Sequence, residues 1–149
     1  MIDMRMKSLF FDRPKVRKAV DHGKRRALSR AGAFIRQRAR TSIRKRKRSS
    51  RPGEPPSSHT GLLRRFILFG YDRQRDSVVV GPLGFKRSRA PNVLEFGGRT
   101  VVESGRARRS GRKRKKRTVR IAARPYMRPA LEKERSNLPV VWRNSVKGG

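Results

Sequence analysis

The side chains able to do acid–base, metal or nucleophilic chemistry are few and scattered. The chain holds two histidines, His22 and His59, ten Asp plus Glu, and no cysteine. His22 stands beside Asp21 in a run of Lys and Arg, and His59 lies in a Pro-rich stretch. Metal and nucleophile sites need such groups clustered, and no His-x-x-x-His pair, carboxylate cluster or Gly-x-Ser-x-Gly elbow is present. Without cysteine there is no disulfide framework, thiolate nucleophile or zinc knuckle. Gly81-Pro82-Leu83-Gly84 and Gly97-Gly98 lack the Lys-Ser/Thr ending of a phosphate loop and read as turns. Glu95 stands out among the acids but has no partner near it in sequence. The reading is a non-enzyme, with no metal and no cofactor.

The chemistry left is electrostatic. Lys plus Arg number 43, giving a formal net charge of +33 on 149 residues. A chain so charged repels itself as a lone compact body, so a polyanion or acidic protein neighbours are expected. Two tracts concentrate the charge: Arg44, Lys45, Arg46, Lys47, Arg48, and Arg112, Lys113, Arg114, Lys115, Lys116, Arg117. Each is either a solvated charged segment or a contact for phosphate or for an acidic partner. Each phosphate neutralised on duplex DNA adds about −0.9 to the slope of log affinity against log salt. Such binding is strong at low salt and collapses near physiological salt. No helix-turn-helix or RNA-binding signature appears, and aromatics do not interleave the tracts, so base-specific readout is not expected.

The elements that must position these groups read as an α+β fold in one domain, 1–149: a small antiparallel sheet packed by a long N-terminal amphipathic helix and a kinked C-terminal helix. At 34% hydrophobic residues the chain has enough for a modest core. No apolar run approaches the roughly 18 residues that span a bilayer, so no membrane is expected. The first residues lack the apolar stretch of a secretory signal, so an intracellular origin is expected. Residues 2–10 alternate as a short strand, and Asp12 and Pro14 suit a helix start. Val16, Ala19, Val20, Ala27, Ala31, Phe34, Ile35 and Ile43 then recur at helical spacing for about thirty residues. Gly23 and Gly32 interrupt that pattern and predict a bend or a close approach by a neighbour.

Residues 44–61 read as an extended basic and Pro-rich loop. Leu62–Tyr71 and Ser77–Gly81 read as a hairpin turning at 72–76. Asn92–Gly98 reads as a helical turn closed by glycines. A second hairpin pairs 99–103 with 118–122, and its basic tip, 105–117, is expected to be mobile. A last helix starts near Pro129, with Glu132 and Glu134 complementing its positive end and Pro139 kinking it. Leu131, Leu138, Trp142 and Val146 share one of its faces.

Three ordered motifs carry more information than composition. They are Pro52-Gly53-Glu54-Pro55-Pro56 through His59-Thr60-Gly61-Leu62-Leu63-Arg64, then Leu94-Glu95-Phe96-Gly97-Gly98, then Ala123-Arg124-Pro125-Tyr126-Met127-Arg128-Pro129-Ala130-Leu131. In this order they resemble the neck or tail-completion proteins of long-tailed bacteriophages, over roughly residues 16–146. The basic tip at 112–117 and the overall charge depart from that family's pattern. The resemblance implies a structural virion protein, assembled in the host cytoplasm, joining head to tail as one subunit of a ring, sixfold by analogy, around the DNA channel. Its expected partners are other copies, other neck and tail-tube proteins, and packaged double-stranded DNA. Pro52, Gly53, Pro55, Pro56, Arg64, Glu95, Phe96, Arg124, Tyr126 and Arg128 become candidate subunit or ring contacts; for Arg124 and Arg128 a role inside one subunit stands equally open. At least one basic tract is expected at an interface, facing acidic protein. The alternative is a general nucleic-acid-binding protein of ribosomal or nucleoid type.

Overall fold

Thirty residues of near-continuous helix formers, opened by Arg13-Pro14, build α1 (Arg13–Ser42), about 45 Å long. The computed structural model describes residues 13–85, 89–104, 115–143 and 145. The expected strand at 2–10, the Asp12 cap, Val146 and most of the second basic tip lie outside those residues. The helix runs unbroken through Gly23 and Gly32. Its buried face is a stripe at spacing four, Gly23, Ala27, Ala31, Ile35 and Ala39, joined by Gly32 and small at every position but Ile35. Val16, Val20 and Phe34, expected on the core face, are exposed. At Gly32 the neighbouring hairpin leaves no room for a side chain: a Cβ there would stand 2.6 Å from Val78 Cγ2 and 2.9 Å from Phe69 Cδ2.

After the loop, α2 (Leu62–Arg65) is one helical turn rather than the start of a strand. Gly61, at φ 78°, swings the chain round, and the Arg65 and Phe66 N–H groups donate back to the Gly61 and Leu62 carbonyls at 2.9 and 3.0 Å. Strand β1 (Ile67–Asp72) then pairs antiparallel with β2 (Ser77–Pro82), from Ile67 opposite Pro82 to Asp72 opposite Ser77. Asp72 Oδ1 accepts from the Gln74 and Arg75 N–H groups to hold the turn. The tip is fastened to α1: Lys24 donates to Asp76 and, at 3.2 Å, to Asp21, while the Tyr71 hydroxyl donates to Asp76. The Arg25 guanidinium lies 5.7 Å above the Tyr71 ring. The bond from Lys24 holds Asp76 below the usual carboxylate range, and Asp76 holds Lys24 above its own.

A helical turn, α3 (Ala90–Phe96), leads into a second hairpin of β3 (Gly98–Ser104) and β4 (Lys115–Ile121), with Arg99 opposite Arg120. The two hairpins form separate two-stranded sheets. The C-terminal helix is two pieces, α4 (Met127–Glu134) and α5 (Leu138–Trp142), because Pro139 starts a new helix instead of bending one. Glu132 and Glu134 therefore sit in the last turn of α4, not at its positive end. Glu134 faces α1, where Arg38 Nε donates to it at 2.6 Å and Asn137 Nδ2 at 3.1 Å. The core lies where the end of α1, the start of β1 and the start of α4 meet: Ala39, Ile43, Ile67, Tyr126 and Ala130, flanked by Leu63, Val80, Leu94 and Met127.

Two predictions follow from this packing. Gly32→Ala gains about 1 kcal/mol of helix propensity but forces Val78 and Phe69 aside, an overpacking cost of about 1–3 kcal/mol. The net expected in urea unfolding is destabilisation, and a stabilised variant contradicts the close approach. The Asn137 amide and then Arg38 hold the buried Glu134 carboxyl below its ordinary value of 4.5. Its contribution is therefore complete above that value and is lost as pH falls through the lower native one. Unfolding free energy measured from pH 6 downwards should decline less steeply in Glu134→Gln than in the wild type.

Candidate functional site

Glu95 joins the second motif to the third. It occupies the last turn of α3, which ends when Gly97, at φ 77°, donates to Val93 O at 2.9 Å. From there the Glu95 carboxylate reaches the start of α4. Oε2 accepts from the Tyr126 and Met127 N–H groups at 2.8 and 3.0 Å, and Oε1 from Arg128 at 2.9 Å. The first four backbone donors of a helix have no partner within it. Here three of them meet Glu95, and the fourth residue is Pro129, which has no N–H. The negative charge also complements the helix dipole. Tyr126, 1% exposed, supplies no cap of its own. Burial, and then the nearby Glu95 charge, push its hydroxyl pKa up to about 12.

The flanking backbone closes the unit. Arg124 N–H donates to Leu94 O at 2.6 Å, and Gly53 N–H to Ala123 O at 2.8 Å. The Arg124 side chain ties in the loop, with Nε donating to Ser50 O at 3.1 Å and Nη1 to Ala122 O at 3.3 Å. Gly97 must be glycine twice over, since its φ is left-handed and a Cβ would lie 3.1 Å from Ala123 N. Segments 50–53, 94–98 and 122–128 thus form one knot.

The expected contact residues divide on this geometry. Tyr126 is a core residue and Pro56 is buried, so within the subunit neither offers a surface to a neighbour. The Tyr126 ring packs with Ile43 and Leu94, and its apolar surface is worth more buried than exposed. Glu95 and Arg124 both bond inside the chain. Pro52, Gly53, Arg64, Phe96 and Arg128 are exposed and Pro55 is half-buried. Arg128 pairs with Glu132 at 3.0 Å, four residues on. Phe96 is 79% exposed, at the rim of a groove of about 400 Å³ lined by Val78, Val80, Pro82, Met127 and Leu131.

Arg44, Lys45, Arg46, Lys47 and Arg48 are all exposed. They follow α1 rather than closing it, because the helix ends at Ser42 and Ile43 is anchored in the core. The tract lies along the returning loop: Lys45 bridges Ser58, Ser58 N–H donates to Arg44 O at 3.0 Å, and Arg46 pairs with Glu54 at 3.2 Å. Of the second tract, Lys116 and Arg117 are exposed on β4, Lys115 begins that strand, and Arg112–Arg114 lie outside the described residues. Among the described residues no three His, Asp or Glu gather as a metal site, and no helix is long and apolar enough to cross a membrane. His22 sits 2.9 Å from Arg26 on α1, and His59 is exposed in the loop.

Sequence reasoning missed the Glu95 cap because its partners stand 31 to 33 residues away. One signal was present: an Arg-Pro pair opening a helix with no Ser, Thr, Asp or Asn before it requires a cap from elsewhere. Glu95→Ala should cost about 2–4 kcal/mol in urea unfolding, by loss of a cap and of hydrogen bonds to a charged acceptor. Glu95→Gln keeps an acceptor oxygen but not the charge, and should cost roughly half as much. A loss below about 0.5 kcal/mol for the alanine variant would sink the assignment.

No family model, curated protein or solved structure matches the chain.

Proposed function

We propose that the protein is a non-enzymatic structural subunit of a phage neck, joining head to tail in a closed ring, sixfold by analogy, around the DNA channel. The observation that carries this reading is the knot itself. The second and third of the motifs that resemble those of neck and tail-completion proteins are joined by Glu95, and the first is tied to them through Gly53 and Ala123, while Pro52, Gly53, Arg64, Phe96 and Arg128 face outward. A closed ring needs two different patches on each subunit that fit one another. Phe96 supplies an apolar projection, and the Pro-rich arm is stiff enough to dock with little loss of entropy. The exposed basic tract at Arg44–Arg48 then meets an acidic neighbouring protein, or DNA. A gripping lining would impede DNA sliding, which favours acidic protein. Such a subunit works in the virion, beside other neck and tail-tube proteins.

The charge favours a second reading, a nucleic-acid-binding protein without sequence preference, and the two separate by mass. Light scattering of the purified chain, at low and high salt and with and without duplex DNA, should give a DNA-independent ring. Binding to DNA should be weak above about 0.2 M salt. Phe96→Asp, at a fully surface position, should leave the subunit folded and abolish the ring. A monomer that coats DNA tightly at that salt, unaffected by Phe96→Asp, would replace the neck reading with the second.

A further inference from the structure

Beside the knot, between the loop and the end of β4, lies a cleft of about 530 Å³ whose walls include Ser50, Ser57, His59, Arg120 and Arg124. Ser50 is 5% exposed, and the buried hydroxyls of Ser50 and Ser57 have no hydrogen-bond partner among the described residues. Native proteins leave few such groups, because each forfeits the hydrogen bonds it had with water. Neither serine can simply drift into solvent. Ser50 is held by its carbonyl, which accepts from Arg124, and Ser57 is followed directly by the residue bonded to Arg44.

The charge around these hydroxyls is one-sided. Arg124 spends two of its five N–H groups on carbonyls, which leaves donors over. Arg120 stands directly opposite Arg99 in the hairpin, a like-charge pair that is unfavourable without an anion between or beside it. No carboxylate lines the cleft. Serine hydroxyls and guanidinium groups gathered at one cleft suit an oxyanion with acceptor oxygens pointing several ways. Both hydroxyls are buried as they stand, and each is placed by a single torsion about which it must turn to meet such a guest.

We propose that this cleft is a binding site for a phosphate group. Two sources share that chemistry, free inorganic phosphate and the phosphodiester of a nucleic acid. The site does not depend on the neck reading, since a ring subunit and a monomer would carry it alike.

The test is a titration of the full chain with inorganic phosphate, followed by amide and Arg Nε resonances at ionic strength held constant with chloride. Resonances of Ser50, Ser57 and Arg124 should shift together and saturate as one site. In the Ser50→Ala/Ser57→Ala variant the affinity at that site should fall at least about tenfold. Shifts at Arg44–Arg48, which report general screening, should not change. In chloride alone the double variant should melt no lower than the wild type, because it removes unpartnered hydroxyls. A short DNA duplex that displaces phosphate from Ser50 and Ser57 identifies the phosphodiester as the guest; failure to displace it identifies free phosphate. Shifts spread evenly over the basic surface and unchanged in the double variant would overturn the proposal, and so would a double variant that melts lower in chloride.

Discussion

A single carboxylate accepting three backbone N–H groups from another element holds the start of α4 in place, and much of the structure hangs on it. With α4 fixed at its first turn, Tyr126 and Ala130 reach the core against Ala39, Ile43 and Ile67. Glu134 reaches Arg38 from the other end of the same helix. The principle extends through the molecule. In a chain of +33, carboxylates are scarce, and every one whose side chain is described is engaged. Asp21 and Asp76 hold Lys24, Asp72 holds the turn, Glu54 holds Arg46, and Glu132 holds Arg128. Acids here fasten elements together while the surplus of cations faces outward.

The same division sorts the motifs. Glu95, Arg124 and Tyr126 turn inward to close the knot, and Arg64, Phe96 and Arg128 stay at the surface. A frame closed this way holds Phe96 and the Pro-rich arm in fixed relation, which a subunit of a ring requires if each copy is to present the same two patches to its neighbours. The neck reading thus asks the internal residues for rigidity and the exposed ones for contact. In that reading the basic tract after α1 is a matter of partner choice rather than of folding.

Much of the fold was legible in the sequence, for local reasons. Apolar spacing marked α1, short apolar runs separated by polar turns marked both hairpins, Asp72 and its neighbours marked the tight turn, and Gly97 marked the end of α3. What was not legible depended on distance or on competition. The apolar spacing in α1 admits two faces, and at Gly32 the approach of Val78 and Phe69 selects the small-residue face over that of Phe34. Leu62-Leu63-Arg64-Arg65 fits a strand or a helical turn, and the left-handed Gly61 decides for the turn. Pro139 marked an interruption, but whether it bends a helix or begins one depends on how Glu134 and Asn137 are engaged. The Glu95 cap and the Arg124 ties join residues far apart in the chain, so no window of sequence contains them.

The central claim is that residues 50–53, 94–98 and 122–128 are one cooperative unit centred on the Glu95 carboxylate. Native-state hydrogen exchange tests it most directly, because first-turn amides of an uncapped helix exchange almost freely. Strong protection is expected at Tyr126, Met127 and Arg128, lost at the same free energy as protection at Gly53, Gly97 and Arg124. Unprotected amides at 126–128, or opening of these segments at unrelated free energies, would contradict it.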